Sequence, residues 1–398
     1  MLNKKSITTL IVISLLLSSI FMFCTSQDIM QSLGDINLSQ GEKTTLPVFQ
    51  SDKVKNVIFM IGDGMSITTI TAARISAYGA DGKLTLERFP FTGIQNTYCL
   101  DRLVTDSGAS GTALATGYKT NYGMISILPD STKLQTILEA LKLRGKLTGI
   151  VATSSVTHAT PASFSAHNLK RGNETEIAED IVNNNINVIM GGGRHFFIPQ
   201  STEGSKRKDE KNLINEAKES GYEVISTKSE LQNSTSGKIL ALFQLDAMQL
   251  IDSEPSLAEM TEKAIEKLSG DEDGFFLMVE ASQIDWAAHD NLPEQTLTNM
   301  LNFDKAIEKA VNFALNDGET LVVVTADHET GGMTINGGRL NGDRLNLKWT
   351  TTGHTGVSVP VFAFGPQGEK FTGWYENTDI PKKIAAILGI EDFAIVNH

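Results

Sequence analysis

The sequence predicts a doubly wound α/β fold, with a mostly parallel central sheet flanked by helices on both faces. Short uninterrupted apolar runs recur along the chain, and segments with helical spacing lie between several of them. Strands buried on both faces read as continuous apolar runs, and their alternation with amphipathic helices marks parallel strands joined by helical crossovers. The composition agrees. With 398 residues, 40% apolar and 20% charged, the chain can bury a large core, which excludes collagen-like, mucin-like and wholly disordered classes.

In chain order, Lys4 and Lys5 precede an apolar run over residues 7–23, and Cys24 closes it. A cationic start and an apolar middle of this length suit an export signal, read here as residues 1–24. Cys24 suggests lipid attachment at its thiol, although Phe23 stands where a small residue is usual; ordinary cleavage near Ser26 and a retained signal anchor are the alternatives. Processing removes two lysines and no acid, so the formal charge goes from −13 to −15. Such an acidic chain repels nucleic-acid phosphates and argues against that partner. Cys24 and Cys99 are too few for a disulfide framework, and Cys99 is expected as a buried small apolar residue.

Residues 25–52 are polar and aperiodic, as a tether would be, and 53–398 contain no Pro/Gly-rich linker, so they read as a single catalytic domain. Strands are expected at 57–61, 149–152, 188–190, 239–243, 275–279, 321–324 and 359–364. Helical spacing marks 134–143, 176–182, 257–268 and 303–315. Residues 200–233, with Lys206-Arg207-Lys208, read as a solvated periphery.

Ligands of open α/β sheets bind beyond the carboxyl ends of the strands. There, the run at 57–61 gives Asp63, the run from Phe275 gives Glu280, Asp285 and His289, and the run from Leu321 gives Asp327 and His328. One acid after a strand is often only a helix cap; three strands that deliver carboxylate and imidazole to one edge point to a metal site. Asp285 and His289 are four apart, so a helical turn puts them on one side. Adjacent Asp327 and His328 can share a site only if the chain turns, and Glu329-Thr330-Gly331-Gly332 is a turn signal. Mixed Asp/His sets suit Zn²⁺, and all-oxygen sets such as Asp63, Glu280 and a hydroxyl suit Mg²⁺. Ser107, in Thr105-Asp106-Ser107-Gly108-Ala109-Ser110-Gly111, sits where a helix can begin, either as a nucleophile or as that helix's cap.

Six ordered motifs then resemble the alkaline phosphatases: Ile61-Gly62-Asp63-Gly64-Met65; Thr105-Asp106-Ser107; His158-Ala159-Thr160-Pro161-Ala162; residues 280–289; Thr325-Ala326-Asp327-His328-Glu329-Thr330-Gly331-Gly332; and Gly353-His354-Thr355-Gly356. The likeness is to compact bacterial members, cold-active marine ones included. It implies a phosphate monoester hydrolase of broad substrate range that acts through a phosphoserine on Ser107. It also implies two Zn²⁺, one on Asp285, His289 and His354, the other on Asp63, Asp327 and His328 with Ser107 approaching it. One Mg²⁺ would lie on Asp63, Thr160 and Glu280. Arg171 would grip two phosphate oxygens, with Asp106 and Trp286 beside the substrate.

His158 stands where the enterobacterial pattern has aspartate and would touch the magnesium through water; Trp286 stands where that pattern has lysine. His167 reads as structural, and His195 follows a Gly191-Gly192-Gly193 turn. The resemblance further implies a homodimer that is exported to the periplasm or held at the membrane by lipid on Cys24. The alternatives are a phosphodiesterase or other sister activity on this scaffold, or a catalytically silent surface binding protein. A sulfatase is disfavoured, because no Pro or Arg follows Ser107 in the required spacing.

Overall fold

A computed structural model describes residues 44–394. The export-signal assignment and Cys24 lie outside the described residues. Fourteen strands occur among them: β1 (Asn56–Gly62), β2 (Phe91–Asn96), β3 (Leu147–Ser155), β4 (Val188–Gly192), β5 (Glu223–Ile225), β6 (Ile239–Leu242), β7 (Phe275–Ala281), β8 (Thr320–Thr325), β9 (Glu329–Thr330), β10 (Thr334–Ile335), β11 (Leu347–Lys348), β12 (His354–Thr355), β13 (Val359–Phe364) and β14 (Gly373–Glu376). Ten form one sheet in the order β14-β2-β13-β8-β1-β7-β3-β4-β6-β5. Every neighbouring pair is parallel except those of β13, which runs against both β2 and β8.

The continuous apolar runs have the cause the sequence suggested, since both faces of the sheet are covered. Val57, Phe59 and Ile61 of β1 face a core shared with residues of the helices Ser107–Thr116, Ile137–Lys142, Ala159–Ser165 and Glu174–Asn183. Ile58 and Met60 are equally buried on the other face, where the helices Leu257–Leu268 and Pro293–Asp317 pack. Each such large side chain contributes about 1.5–3 kcal/mol when removed from water.

Two expectations need correction. The 25–52 segment is not a tether to its end: Leu46 is buried and its N–H donates to the Arg88 carbonyl (2.9 Å), and Phe49 packs edge-on against Phe364 with centroids 5.2 Å apart. Its overall polarity concealed these two apolar anchors. Nor is 200–233 wholly peripheral. The Arg207 side chain is buried at the centre of the basic triplet, where Glu179 and Asp209 carboxylates and the carbonyls of Thr175 and Phe196 engage its guanidinium. A buried guanidinium is tolerated because each donor edge finds an acceptor.

His167 is structural, as expected. Its Nδ1 lies 2.8 Å from the Ser126 carbonyl and its Nε2 3.0 Å from Glu139 Oε1, so both ring nitrogens face acceptors and the doubly protonated ring satisfies both. Burial opposes the charge, but contact with Glu139 raises His167 above the ordinary histidine value; against the same opposition, His167 lowers Glu139. The raised histidine stabilises the fold below its unfolded value near 6.5 and loses that effect as pH rises through its folded value. The lowered glutamate contributes above about 4.3 and loses it as pH falls through its folded value. His167→Gln should therefore destabilise by about 1–2 kcal/mol at pH 6 and by clearly less at pH 9, read from denaturant midpoints at the two pH values. An equal loss at both would show that the ion pair adds nothing.

Candidate active site

Register places the site. The central strands β8, β1, β7 and β3 are adjacent and parallel, and Ile61 lies opposite both Glu280 and Thr325. Two residues beyond Ile61 and Thr325, Asp63 and Asp327 leave the sheet side by side, next to Glu280 at the end of β7. The expected turn follows β8: Asp327 Oδ1 accepts from the N–H groups of Gly64 (3.2 Å) and His328 (2.9 Å). The helix Gln283–His289 presents Asp285 and His289 one turn apart, and the β12–β9 pairing sets His354 opposite Thr330. Gly64 is required here. Its φ is +72°, and a Cβ would come within 2.8 Å of Asp285 Cα and 2.9 Å of Thr330 Oγ1.

Three groups of donor atoms converge, each with its members within 4.8 Å of one another: Asp285, His289 and His354; Asp63, Asp285 and His328; and Asp63, His158 and Glu280. Asp285 and Asp63 thus link neighbouring groups. Asp327 joins the second, its Oδ2 3.1 Å from His328 Nε2, with Asp63 Oδ1 at 3.6 Å. Thr160, one residue into the helix Ala159–Ser165, is buried beside Glu280.

The donor set fits cations. Both oxygens of Asp63, Oδ2 of Asp327, Oε1 of Glu280 and Oγ1 of Thr160 are buried without a hydrogen-bond partner. His289 and His354 donate their Nδ1–H to the carbonyls of Thr352 (2.6 Å) and Thr105 (2.8 Å). That leaves the two Nε2 atoms facing each other across 3.1 Å, close enough to share one proton, and a cation would take that proton's place between them. The electrostatics agree. Burial, then Asp327, Asp285 and Glu280, push Asp63 well above the carboxylate range, and burial likewise raises Glu280. Against its own burial, Asp285 is held low by His289, His328 and His354. Contact with Asp285 raises His289 to about 9, while burial and the neighbouring His328 lower His354 to about 4.

Ser107 opens the helix Ser107–Thr116, with its Oγ 3.3 Å from His328 Nε2. It is not the cap. Asp106 is, accepting from the N–H of Ala109 through Oδ1. The same oxygen accepts from Gly123 N, and Oδ2 accepts from Arg171 Nη1 at 2.9 Å. Arg171 Nη2 donates to His158 Nε2 (3.1 Å), so Asp106 and His158 brace the guanidinium from two sides. The Trp286 ring meets the His158 ring edge-on at 5.7 Å, which puts it at the border of the site. All thirteen residues singled out in the sequence fall in this one region. Thr330 belongs there too and was missed: it donates to Asp285 Oδ1 and lies 3.3 Å from His328 Nδ1. It stood in a quoted motif, but only as a turn signal.

A parallel sheet whose carboxyl edge gathers these donors around a helix-borne serine defines a metal-binding hydrolase. The alkaline phosphatase family model matches residues 54–348 and 339–390. Alkaline phosphatase 4 of Bacillus subtilis is 35% identical over 88% of this chain and 92% of its own, and the Escherichia coli alkaline phosphatase 32% over 92% of each. The solved alkaline phosphatase of the Antarctic bacterium TAB5 superposes with a TM-score of 0.78 at 36% identity, covering 85% of this chain and 99% of its own. Variants of the TAB5 enzyme in which a histidine is replaced by glutamate or aspartate carry Mg in a site named M3. The chain belongs to the alkaline phosphatase family and is a phosphomonoesterase.

Proposed function

We propose that the enzyme hydrolyses a broad range of phosphate monoesters through a phosphoserine on Ser107. The observation that carries this reading is the Ser107 hydroxyl at a helix N-terminus, 3.3 Å from an imidazole nitrogen that two buried carboxylates also face. Asp285, His289 and His354 would hold one zinc; Asp63, Asp327 and His328, with Ser107 close by, the other; Asp63, Thr160 and Glu280 a magnesium, with His158 beside them. Magnesium in the TAB5 variants supports this ion as a cofactor of the fold, and its assignment to the third group here rests on that group's oxygen donors. Bound there, the ions would offset the charge of these acids and would supply Lewis acidity that makes the Ser107 hydroxyl a stronger nucleophile and the leaving alcohol a better leaving group.

The chain's own residues do the rest. Ser107 Oγ attacks phosphorus; the Oγ–P bond forms as the ester P–O bond breaks, and the alcohol leaves with a proton. Water then attacks the phosphoserine from the side the alcohol vacated and returns Ser107 and inorganic phosphate. Arg171, braced by Asp106 and His158, presents a planar fork to two phosphoryl oxygens.

Metal analysis of the purified protein, with nitrophenyl phosphate turnover before and after chelation, tests the reading; a metal-free preparation with full turnover would overturn it. Arg171→Ala should weaken competitive inhibition by phosphate about 10–100-fold, and Arg171→Lys should recover part of that, since charge returns without the fork. Wild-type inhibition of the alanine variant would mean that another cation holds phosphate.

The remaining assignments are proposals of the same kind: residues 1–24 as an export signal, the catalytic domain over 53–398, periplasmic location or a lipid on Cys24, and a homodimer. No helix among the described residues is long and apolar enough to cross a membrane.

A further inference from the structure

We propose that Thr330 is a positioning residue that sets the metal-binding forms of His328 and Asp285 together; the inference rests on the zinc assignment above. His289 and His354 each donate Nδ1–H to a main-chain carbonyl, so the backbone itself turns their Nε2 atoms into the site. The Nδ1 of His328 faces a side chain instead, Thr330 Oγ1 at 3.3 Å. That hydroxyl also contacts Asp285 Oδ1. The direction of this relay follows from counting protons. A carboxylate only accepts, so the single Thr330 hydrogen goes to Asp285, and the Thr330 oxygen is left with lone pairs for His328. His328 must then supply Nδ1–H, which puts the lone pair of the neutral ring on Nε2, the atom that faces Asp63, Asp327 and Ser107.

Thr330 has little freedom to do otherwise. It is 1% exposed, lies opposite His354 in the β9–β12 pair, and donates its N–H to the Gly64 carbonyl at 3.3 Å. One hydroxyl therefore touches a ligand of each proposed zinc. Without it, His328 Nδ1–H is buried with no acceptor and the tautomer with its lone pair on Nδ1, turned away from the site, gains population.

The test compares wild type with Thr330→Val, which keeps the shape, and Thr330→Ser, which keeps the hydroxyl. Zinc loading is followed by metal analysis against a series of buffered free-zinc concentrations, and melting temperatures are taken zinc-free and zinc-loaded. Thr330→Val should need about 10–100-fold more free zinc for half-loading and lose much of the zinc-induced rise in melting temperature. Thr330→Ser should load close to wild type, and the zinc-induced rise of each variant is read from its own zinc-free melting temperature. Thr330→Ala, equally without a hydroxyl, replaces the valine variant if that one does not fold. Loading of the hydroxyl-free variant at wild-type zinc concentrations, or a serine variant as impaired as valine, overturns the proposal. A wild-type protein that takes up no zinc instead overturns the zinc assignment, and this inference with it.

Discussion

Ser107→Ala should abolish covalent capture of phosphate and lower turnover by about a thousandfold or more while leaving stability within about 0.5 kcal/mol of wild type. The two halves of this expectation have separate physical origins. Ser107 is buried in the site with its Oγ directed at His328 Nε2, so alanine removes the one hydroxyl placed to attack. The helix does not depend on that hydroxyl. Its cap is Asp106, whose bonds to Ala109, Gly123 and Arg171 all survive, and alanine is a favourable residue for the first helical turn. Acid-quenched incubation with radiolabelled substrate checks the first half, by counting protein-bound phosphate. Denaturant unfolding checks the second. Direct attack by water on a bound ester would leave a small residual rate that no longer passes through labelled protein. Label on the alanine variant at the wild-type level would place the nucleophile elsewhere; a large stability loss would mean that the activity loss reports on folding.

The fold class was legible in the sequence, and so were the residues that gather at the candidate site, for a physical reason. Metal ligation and nucleophilic attack admit few residue types, so Asp63, Glu280, Asp285, His289, Asp327 and His328 announce themselves wherever apolar runs end. The runs were legible because β1, β3, β7 and β8 are covered on both faces. Strands towards the sheet's margins lack that signature: β2 reads Phe-Thr-Gly-Ile-Gln-Asn and is only partly buried, while β5 and β14 are edges of three and four residues. The reversed direction of β13 could not be read at all, since an apolar run carries no polarity and the antiparallel pairing depends on how the chain returns. Some helices were hidden by the opposite effect. Ser107–Thr116 is buried along its whole length, so it has no polar face to set a period, and Ile67–Tyr78 exposes Ile67 and Ala77 beside Ser76 while burying Thr69, which blurs the contrast between its faces. The expected helix at 303–315 begins ten residues earlier, at Pro293; that start was hidden because its first turns are largely polar, with Thr296 buried beside Leu297 and Met300. Thr330 was invisible as a positioning group, since its contact with Asp285 joins positions 45 residues apart.

Chelation should remove phosphate binding as well as turnover, and zinc with magnesium should restore both. Asp63, Asp285, Asp327 and Glu280 are all buried at one sheet edge, with Asp106 beside them, and Arg171 already shares its charge with Asp106. A phosphate dianion brought into that cluster meets like charges at short range in a poorly screened interior, so its approach is unfavourable until cations outweigh the acids. The crowding is visible in the protein itself: Asp63 is pushed far above its ordinary value by burial and by its three acidic neighbours. Titration of the stripped and the reconstituted protein with inorganic phosphate in a calorimeter separates binding from chemistry. The stripped protein should give no measurable heat of binding at phosphate concentrations that saturate the reconstituted one. Retained affinity in the stripped protein would mean that Arg171 and the helix N-terminus suffice to hold the dianion. The cations would then act on the reaction alone, and the electrostatic argument for substrate capture would fail while the assignment of Ser107 still stood.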